Sequence, residues 1–295
     1  MLCAVGLLAA GAGIDYFAGG KNNAASTTKR RLTESWQGGR YDEVYVTSGT
    51  ELEKRPMDFF LLTVYGFSAY QLAIAQINAA DTQRYIDNAI WALRKALLTR
   101  EGKKDSRIFY VLGKSYYYKG VPFMDVSVYY LEAARAAGYE ASDINEYLGL
   151  GYAALKDYVS SVEAFSRVLR PVDGAGQLSG SDIFLVTIAR SYFELGEYAS
   201  ARAYLSRALE ISRDYKTMVS ARLLLGSILI AQNDLRGAEE QYTTILRESG
   251  EQAEARYHLG EVYALQENNI KARSEWRKAL RIDPAYAPAR ERLNI

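Results

Sequence analysis

The chain has 295 residues, of which 49% are apolar and 24% charged, with only 5 prolines; this is globular composition, with chain enough for a large core. Its 36 Lys and Arg are balanced by 35 Asp and Glu, which argues against nucleic-acid binding as a main activity, because that needs a basic field. One cysteine, Cys3, and one histidine, His258, exclude an internal disulfide, a CxxC site and the usual multi-histidine zinc site.

Residues 2–20 read LCAVGLLAAGAGIDYFAGG, with Asp15 their single charge. A bilayer span needs roughly 20 mostly apolar residues, so the segment is just long enough. Asp15 lies near its end, where a charge costs less than at the centre. A membrane anchor is the preferred reading. A cleaved secretory signal comes next, with Ala10-Gly11-Ala12 as the small-residue cleavage site. A buried helix of a soluble protein comes third. Leu2 stands before Cys3 where lipidation wants a small residue. No Lys or Arg precedes the segment and Lys29, Arg30 and Arg31 follow it, so the positive-inside rule taken literally puts the body in the cytoplasm. A signal without a basic start is unusual and leaves room for a start upstream of Met1. The Cys-free body suits an oxidising compartment, and the exported side is preferred. Residues 1–24 are therefore read as an anchor or signal segment, and 25–295 as one continuous domain.

From residue 25 a two-helix pattern recurs. Unit 25–58 keeps Trp36, Gly39-Arg40-Tyr41 and Pro56, but has Arg31, Ser48 and Glu51 where apolar residues are expected. Unit 59–105 has Tyr65-Gly66 in its first helix and Ala89, Leu93 and Ala96 in its second, and is long, so a helix or loop must extend. Unit 106–141 carries Leu112-Gly113, Tyr116, Gly120, Tyr130 and Ala133. Unit 142–181 carries Leu148-Gly149, Tyr152, Asp157-Tyr158, Phe165 and Val168, then the loop PVDGAGQLSGS at 171–181. Unit 182–218 carries Ile188-Ala189, Tyr192, Gly196-Glu197-Tyr198, Ala201, Leu205 and Ala208, with a slightly long linker through Arg213-Asp214. Unit 219–252 carries Leu225-Gly226, Leu229, Ala238, Tyr242 and Ile245. Unit 253–286 is the clearest, with Leu259, Gly260, Tyr263, Ala272, Trp276, Ala279 and Pro284; only Arg256 stands where a large apolar residue is usual. Residues 287–295, with the run Pro288–Leu293, read as a short polar cap.

The spacing has a physical reason. Leu259 and Tyr263 lie four apart and share one helix face. Gly260 beside them lets a second helix approach closely. Ala272, Trp276 and Ala279 recur at four and three, so a bulky group flanked by small ones faces that gap. Glu267-Asn268-Asn269 suits a tight turn, and Pro284 ends the second helix. One pair cannot bury both its faces alone, whereas stacked copies can.

This pattern resembles the tetratricopeptide repeat, whose spacing is W-x2-L-G-x2-Y, A-x3-F and P over about 34 residues. The resemblance covers roughly residues 25–290 and is strongest from 106 onward. It implies an all-α, right-handed superhelical solenoid of about seven helix pairs, behind the N-terminal apolar segment. It also implies a concave groove lined by the first helix of each pair. Carried over by motif position, that groove takes Arg107, Tyr110, Lys114, Tyr117, Tyr118, Glu146, Arg190, Phe193 and Tyr257, with Asp143, Leu150 and Ala153 beside Glu146. Tyr and Arg suit binding hot spots, although Tyr117 and Tyr118 could equally pack against the next repeat. The carboxylate-clamp subclass is rejected, because Tyr110, Lys114 and Tyr147 stand where it needs Lys and Asn.

No residue pattern carries chemistry. There is no GxxxxGK[ST] loop. Gly11-x-Gly13 and Gly149-x-Gly151 lack the third glycine of a dinucleotide site. His258 alone supports no catalytic triad, and Glu239-Glu240 reads as a solvated helix face. No catalytic, cofactor-binding or metal residue is expected. The resemblance implies a non-enzymatic scaffold for a protein or peptide partner, tethered to a membrane through residues 2–20 and serving assembly of a bacterial envelope complex. The alternatives are a module that recruits or regulates a separate enzyme, such as a cell-wall enzyme, and a cytoplasmic adaptor. The basic and aromatic groove residues favour a partner segment with apolar anchors and an acidic group, with Tyr117 and Tyr118 mattering more than Lys114.

Overall fold

The structure is a computed structural model that describes residues 23–168, 171–172, 177–178, 182–249 and 251–294. The apolar segment 2–20 lies outside the described residues, as does much of the 171–181 loop. No described helix is long and apolar enough to cross a membrane.

The described residues form two compact units that divide between Asp157 and Tyr158, where the sequence reads as one domain. The first contains α1 (Asn23–Gln37), α2 (Tyr41–Lys54), α3 (Phe59–Ala75), α4 (Ala79–Ala96), α5 (Ser106–Lys119), α6 (Met124–Ala136) and α7 (Ile144–Ala154). The second contains α8 (Tyr158–Ser166), α9 (Asp182–Glu194), α10 (Tyr198–Ile211), α11 (Tyr215–Ala231), α12 (Leu235–Ser249), α13 (Ala253–Leu265), α14 (Asn269–Ile282) and α15 (Ala287–Leu293). Between α8 and α9, β1 (Pro171–Val172) pairs antiparallel with β2 (Gln177–Leu178), Pro171 opposite Leu178. The division falls at the turn between α7 and α8. Helix pairs of a repeat array touch only their neighbours, so nothing in such an architecture ties distant pairs into one core.

Within each unit the pairs are held by the interlock that the spacing predicts. Gly113, Gly149, Ala189, Gly226 and Gly260 are all buried. A methyl group on Gly226 would lie 2.5 Å from the Tyr242 ring, and one on Gly260 would lie 2.4 Å from Trp276 Nε1. The second helix therefore seats its largest side chain directly against the backbone of the first. Tyr242 is fully buried there.

The turns within pairs share one geometry. Gly39, Lys156, Gly196, Asn233 and Glu267 all have positive φ. In each case the next amide donates to a carbonyl five residues back, as from Asp157 to Tyr152 and from Asn268 to Tyr263. This is the hydrogen bond that closes a helix through a left-handed residue.

Three departures of the sequence from its own pattern have local causes. Arg256 donates from Nη1 to Glu275 Oε2 at 2.9 Å, and Glu275 on α14 is buried and also pairs with Lys278. An ion pair thus replaces the usual apolar contact between α13 and α14. The long 59–105 unit places its extra residues in α3 (17 residues), α4 (18 residues) and a 3-10 turn at Gly102–Lys104. The linker expected through Arg213-Asp214 is instead an earlier helix start. Asp214 caps α11 by accepting from the Thr217 amide at 2.8 Å, so α11 begins at Tyr215 rather than Val219. At the far end α15 is a cap with an apolar underside, since Ala289 and Leu293 join the buried cluster of Trp276 and Ala279.

We expect Gly226→Ala to lower unfolding free energy in urea by about 1–3 kcal/mol, because the added methyl overpacks Tyr242. Tyr242→Leu alone should also destabilise. Their combination should cost less than the sum, because the methyl then fills vacated space; strict additivity would show that the two groups do not interlock.

Candidate functional site

The expected groove residues of the first unit converge on one face built from α3, α5 and α7. On α5, Tyr110, Lys114, Tyr117 and Tyr118 recur at four, three and one, so they share a helix face. Asp105 fixes the start of that helix by accepting from the Arg107 amide at 3.1 Å. It also takes the Arg107 guanidinium, with Nε to Oδ1 at 2.8 Å and Nη2 to Oδ2 at 2.6 Å. The Arg107 charge is therefore spent beside its own helix terminus.

Lys114 is the centre of the cluster. It is 1% exposed, and its Nζ donates to Asp143 Oδ2 at 2.8 Å and to Tyr110 Oη at 3.2 Å. Tyr110 Oη in turn donates to Asp143 Oδ1 at 2.5 Å. Rings enclose the ammonium, with Tyr147 at 4.4 Å, Tyr110 at 5.2 Å and Tyr70 at 5.9 Å from Nζ to centroid. Buried ammonium groups persist only when paired and hydrogen-bonded, and aromatic faces add a further attraction. Asp143 immediately precedes α7 without capping it through its side chain; its carboxylate serves α5 instead. Burial first, and the Asp143 charge second, push the Tyr110 phenol far above its ordinary range.

Toward the open edge the cluster becomes aromatic. Tyr118 and Tyr147 share a hydroxyl hydrogen bond at 3.0 Å. Tyr117 packs edge-on against Tyr118 and Tyr147, with centroids at 5.7 and 5.0 Å. Tyr117, Tyr118 and Glu146 are half-buried. Glu146 makes no hydrogen bond or ion pair among the described residues. Its carboxyl is pushed up from 4.5 to about 7, chiefly by burial and then by the Asp143 charge, against a smaller opposing pull from Lys114.

This placement corrects the expectation of an accessible basic groove. Tyr110 and Lys114 are core residues, closed off because Asp143, Tyr70 and Tyr147 complete their shell. Arg107 is paired with Asp105. Tyr70 and Tyr147 belong to the site although sequence reasoning did not place them in the groove, and Asp143, which it did place there, is the counter-ion of Lys114. Asp143 was readable from its motif position; Tyr70 was hidden by the irregular length of its unit. In the second unit the expected residues do not form one site. Arg190 is exposed, and Phe193 packs on Tyr198 at 5.9 Å. Tyr257 is held between His258 and Tyr286, at 5.2 and 5.7 Å. His258 stacks on Tyr242 at 5.4 Å, and burial lowers its pKa, so it packs the α12–α13 contact.

Helix pairs of this length and interlock resemble tetratricopeptide-type hairpins, and comparison with known proteins finds the same likeness in part of the chain. Residues 184–215 and 223–287 each match the tetratricopeptide repeat family. Among solved structures, the chain is similar to YrrB, a TPR protein, at 22% identity and TM-score 0.52, covering 70% of this chain and 100% of that one. It is similar to the C-terminal part of a TPR repeat-containing protein from Cytophaga hutchinsonii at 16% identity and TM-score 0.59, covering 90% and 99%. It is also similar to PilF of Pseudomonas aeruginosa at 15% identity and TM-score 0.55, covering 78% and 96%. These likenesses concern the fold. No curated protein matches the chain.

The Lys114–Asp143 pair yields a stability prediction. Lys114→Met strands the Asp143 carboxylate and should cost about 3 kcal/mol of unfolding free energy. Lys114→Met with Asp143→Asn should lose clearly less than the two single losses summed. A double-mutant cycle in urea checks this, and additive losses would mean that the two side chains are not coupled.

Proposed function

We propose that the chain is a non-enzymatic scaffold that binds a protein or peptide partner on the inner face of its first unit. Residues 2–20 would hold it at a membrane, with the body on the exported side, in the assembly of an envelope complex. The observation that carries the binding reading is the cluster on α5 and α7. There, three half-buried groups, Tyr117, Tyr118 and Glu146, edge a core in which Lys114, Asp143 and Tyr110 are hydrogen-bonded to one another. Amphipathic rings at the edge of a rigid floor are the composition of binding hot spots. The tetratricopeptide class, whose members bind protein or peptide partners, supports the reading. So does the fold likeness to YrrB, described as having an unusual peptide-binding site. The membrane tether rests on the apolar composition of residues 2–20 alone.

The test is capture from detergent-solubilised membranes with the full chain, beside a chain starting at Asn23 and the Tyr117→Ala variant. We expect the full chain in the membrane fraction with a stoichiometric partner, the shortened chain folded and in the soluble fraction, and weaker capture by Tyr117→Ala. A shortened chain that stays with the membranes would overturn the tether. Capture of one catalytic chain alone would favour a recruitment module, and undiminished capture by Tyr117→Ala would move the binding face elsewhere.

A further inference from the structure

The charges on the inner face of the first unit do not cancel. Arg107 is paired with Asp105, Lys114 with Asp143, and Lys119 with Asp87. Glu146 has no counter-ion among the described residues. The free charge on this face is thus negative, opposite in sign to what the basic residues of the sequence suggest. Glu146 stands one turn after Asp143 on α7, beside Tyr117 and Tyr118 of α5, where a group from outside can reach it.

We propose that this face receives a cationic side chain, a lysine or arginine of the partner segment, with Glu146 as its counter-ion and the Tyr117 and Tyr118 rings as its flanks. The inference rests on the scaffold reading and adds the chemistry of what is bound.

Three observations carry it. The cluster already stabilises a cation among phenol rings, since Lys114 Nζ lies 4.4 Å from the Tyr147 centroid; a second cation at the edge would use the same attraction. An acidic side chain would instead meet Glu146 and Asp143, with the ammonium of Lys114 already held at 2.8 Å by Asp143. Finally, Tyr70 is 2% exposed and its hydroxyl has no hydrogen-bond partner among the described residues. It lies close enough to Tyr118, Tyr110 and Asp143 to feel their charge. A buried hydroxyl without a partner is an open acceptor at the floor of the site.

The cation requires Glu146 ionised, so binding should depend on pH. From α3, Tyr70 faces the carboxylate's surroundings; from α5, Tyr110, Lys114, Tyr117 and Tyr118; from α7 itself, Asp143 and Tyr147. On α6, Glu132 and Arg135 pair with each other at 2.6 Å. The phenols whose shifts are resolved here are raised above their ordinary range, which leaves Glu146, at about 7, as the group that titrates near neutrality.

The test is selection of displayed random peptides, about a dozen residues long, on the full chain in detergent and on full-length Glu146→Gln, at about pH 8. Circular dichroism melts establish that the variant is folded. We expect Lys or Arg enrichment on the parent chain and none on Glu146→Gln. A selected peptide should bind the parent about tenfold more weakly at pH 6 than at pH 8, because a carboxyl of pKa about 7 is mostly protonated at the lower value. Acidic or uncharged enrichment, cationic peptides that bind Glu146→Gln equally well, or no enrichment on the parent would each overturn the inference. Blocking by spermidine without any peptide enrichment would assign a small cation and equally overturn the peptide assignment. If a membrane partner is captured unchanged by Glu146→Gln, the inference falls and the scaffold reading stands; if no partner is captured at all, both fall.

Discussion

The seating of a large side chain of a second helix against the bare backbone of the first, seen at Gly66, Gly113, Gly226 and Gly260, is the constraint on which the rest depends. Tyr242 over Gly226 and Trp276 over Gly260 show it most clearly. The contact sets both the distance and the rotation of the two helices, because a side chain on the glycine would push them apart. Once the rotation is set, the opposite face of the first helix has no choice of direction. On α5, Gly113 is buried under Leu131, and the same helix then presents Tyr110, Lys114, Tyr117 and Tyr118 toward α3 and α7. The binding face is a consequence of the packing face.

That face divides into a closed floor and an open edge. The floor is ionic and paired, since Lys114, Asp143 and Tyr110 form a closed triangle of hydrogen bonds under three rings. Such an arrangement adds little net stability over apolar residues of equal volume, yet it penalises any register in which one member is missing. It therefore fixes α5 against α7. The edge follows from the floor: Asp143 takes the one buried ammonium, and Glu146, three residues on, is left half-buried without one. Desolvation without pairing raises a carboxyl's pKa, as seen here.

The architecture was legible in the sequence because a repeat states its pattern many times. Landmarks such as Leu259, Gly260 and Trp276 locate the interlock even where single positions fail, and the Arg256 exception resolves into its own ion pair with Glu275. Helix starts were less legible: an aspartate cap moves the start of α11 to Tyr215, and capping is a local hydrogen-bond choice that periodicity does not encode. The site was legible only in part. Motif positions located Tyr110, Lys114, Tyr117, Tyr118 and Glu146 on one face, but not which of them is enclosed. Enclosure is decided by Tyr70 and Tyr147 from neighbouring helices, and Tyr70 sits in the unit whose length breaks the pattern. Charge was misread for the same reason: cations counted along α5 appear free until their partners Asp105 and Asp143 are placed.

The assignment of Lys114 to Asp143 rather than to Glu146 decides the sign of the whole face. It is tested most directly by following the Glu146 side-chain carboxyl carbon by NMR as pH is varied, in the full chain labelled at glutamate and assigned with Glu146→Gln. The account predicts a titration midpoint near 7. A midpoint below the ordinary 4.5 would mean that Glu146 has a cation of its own, and would contradict it.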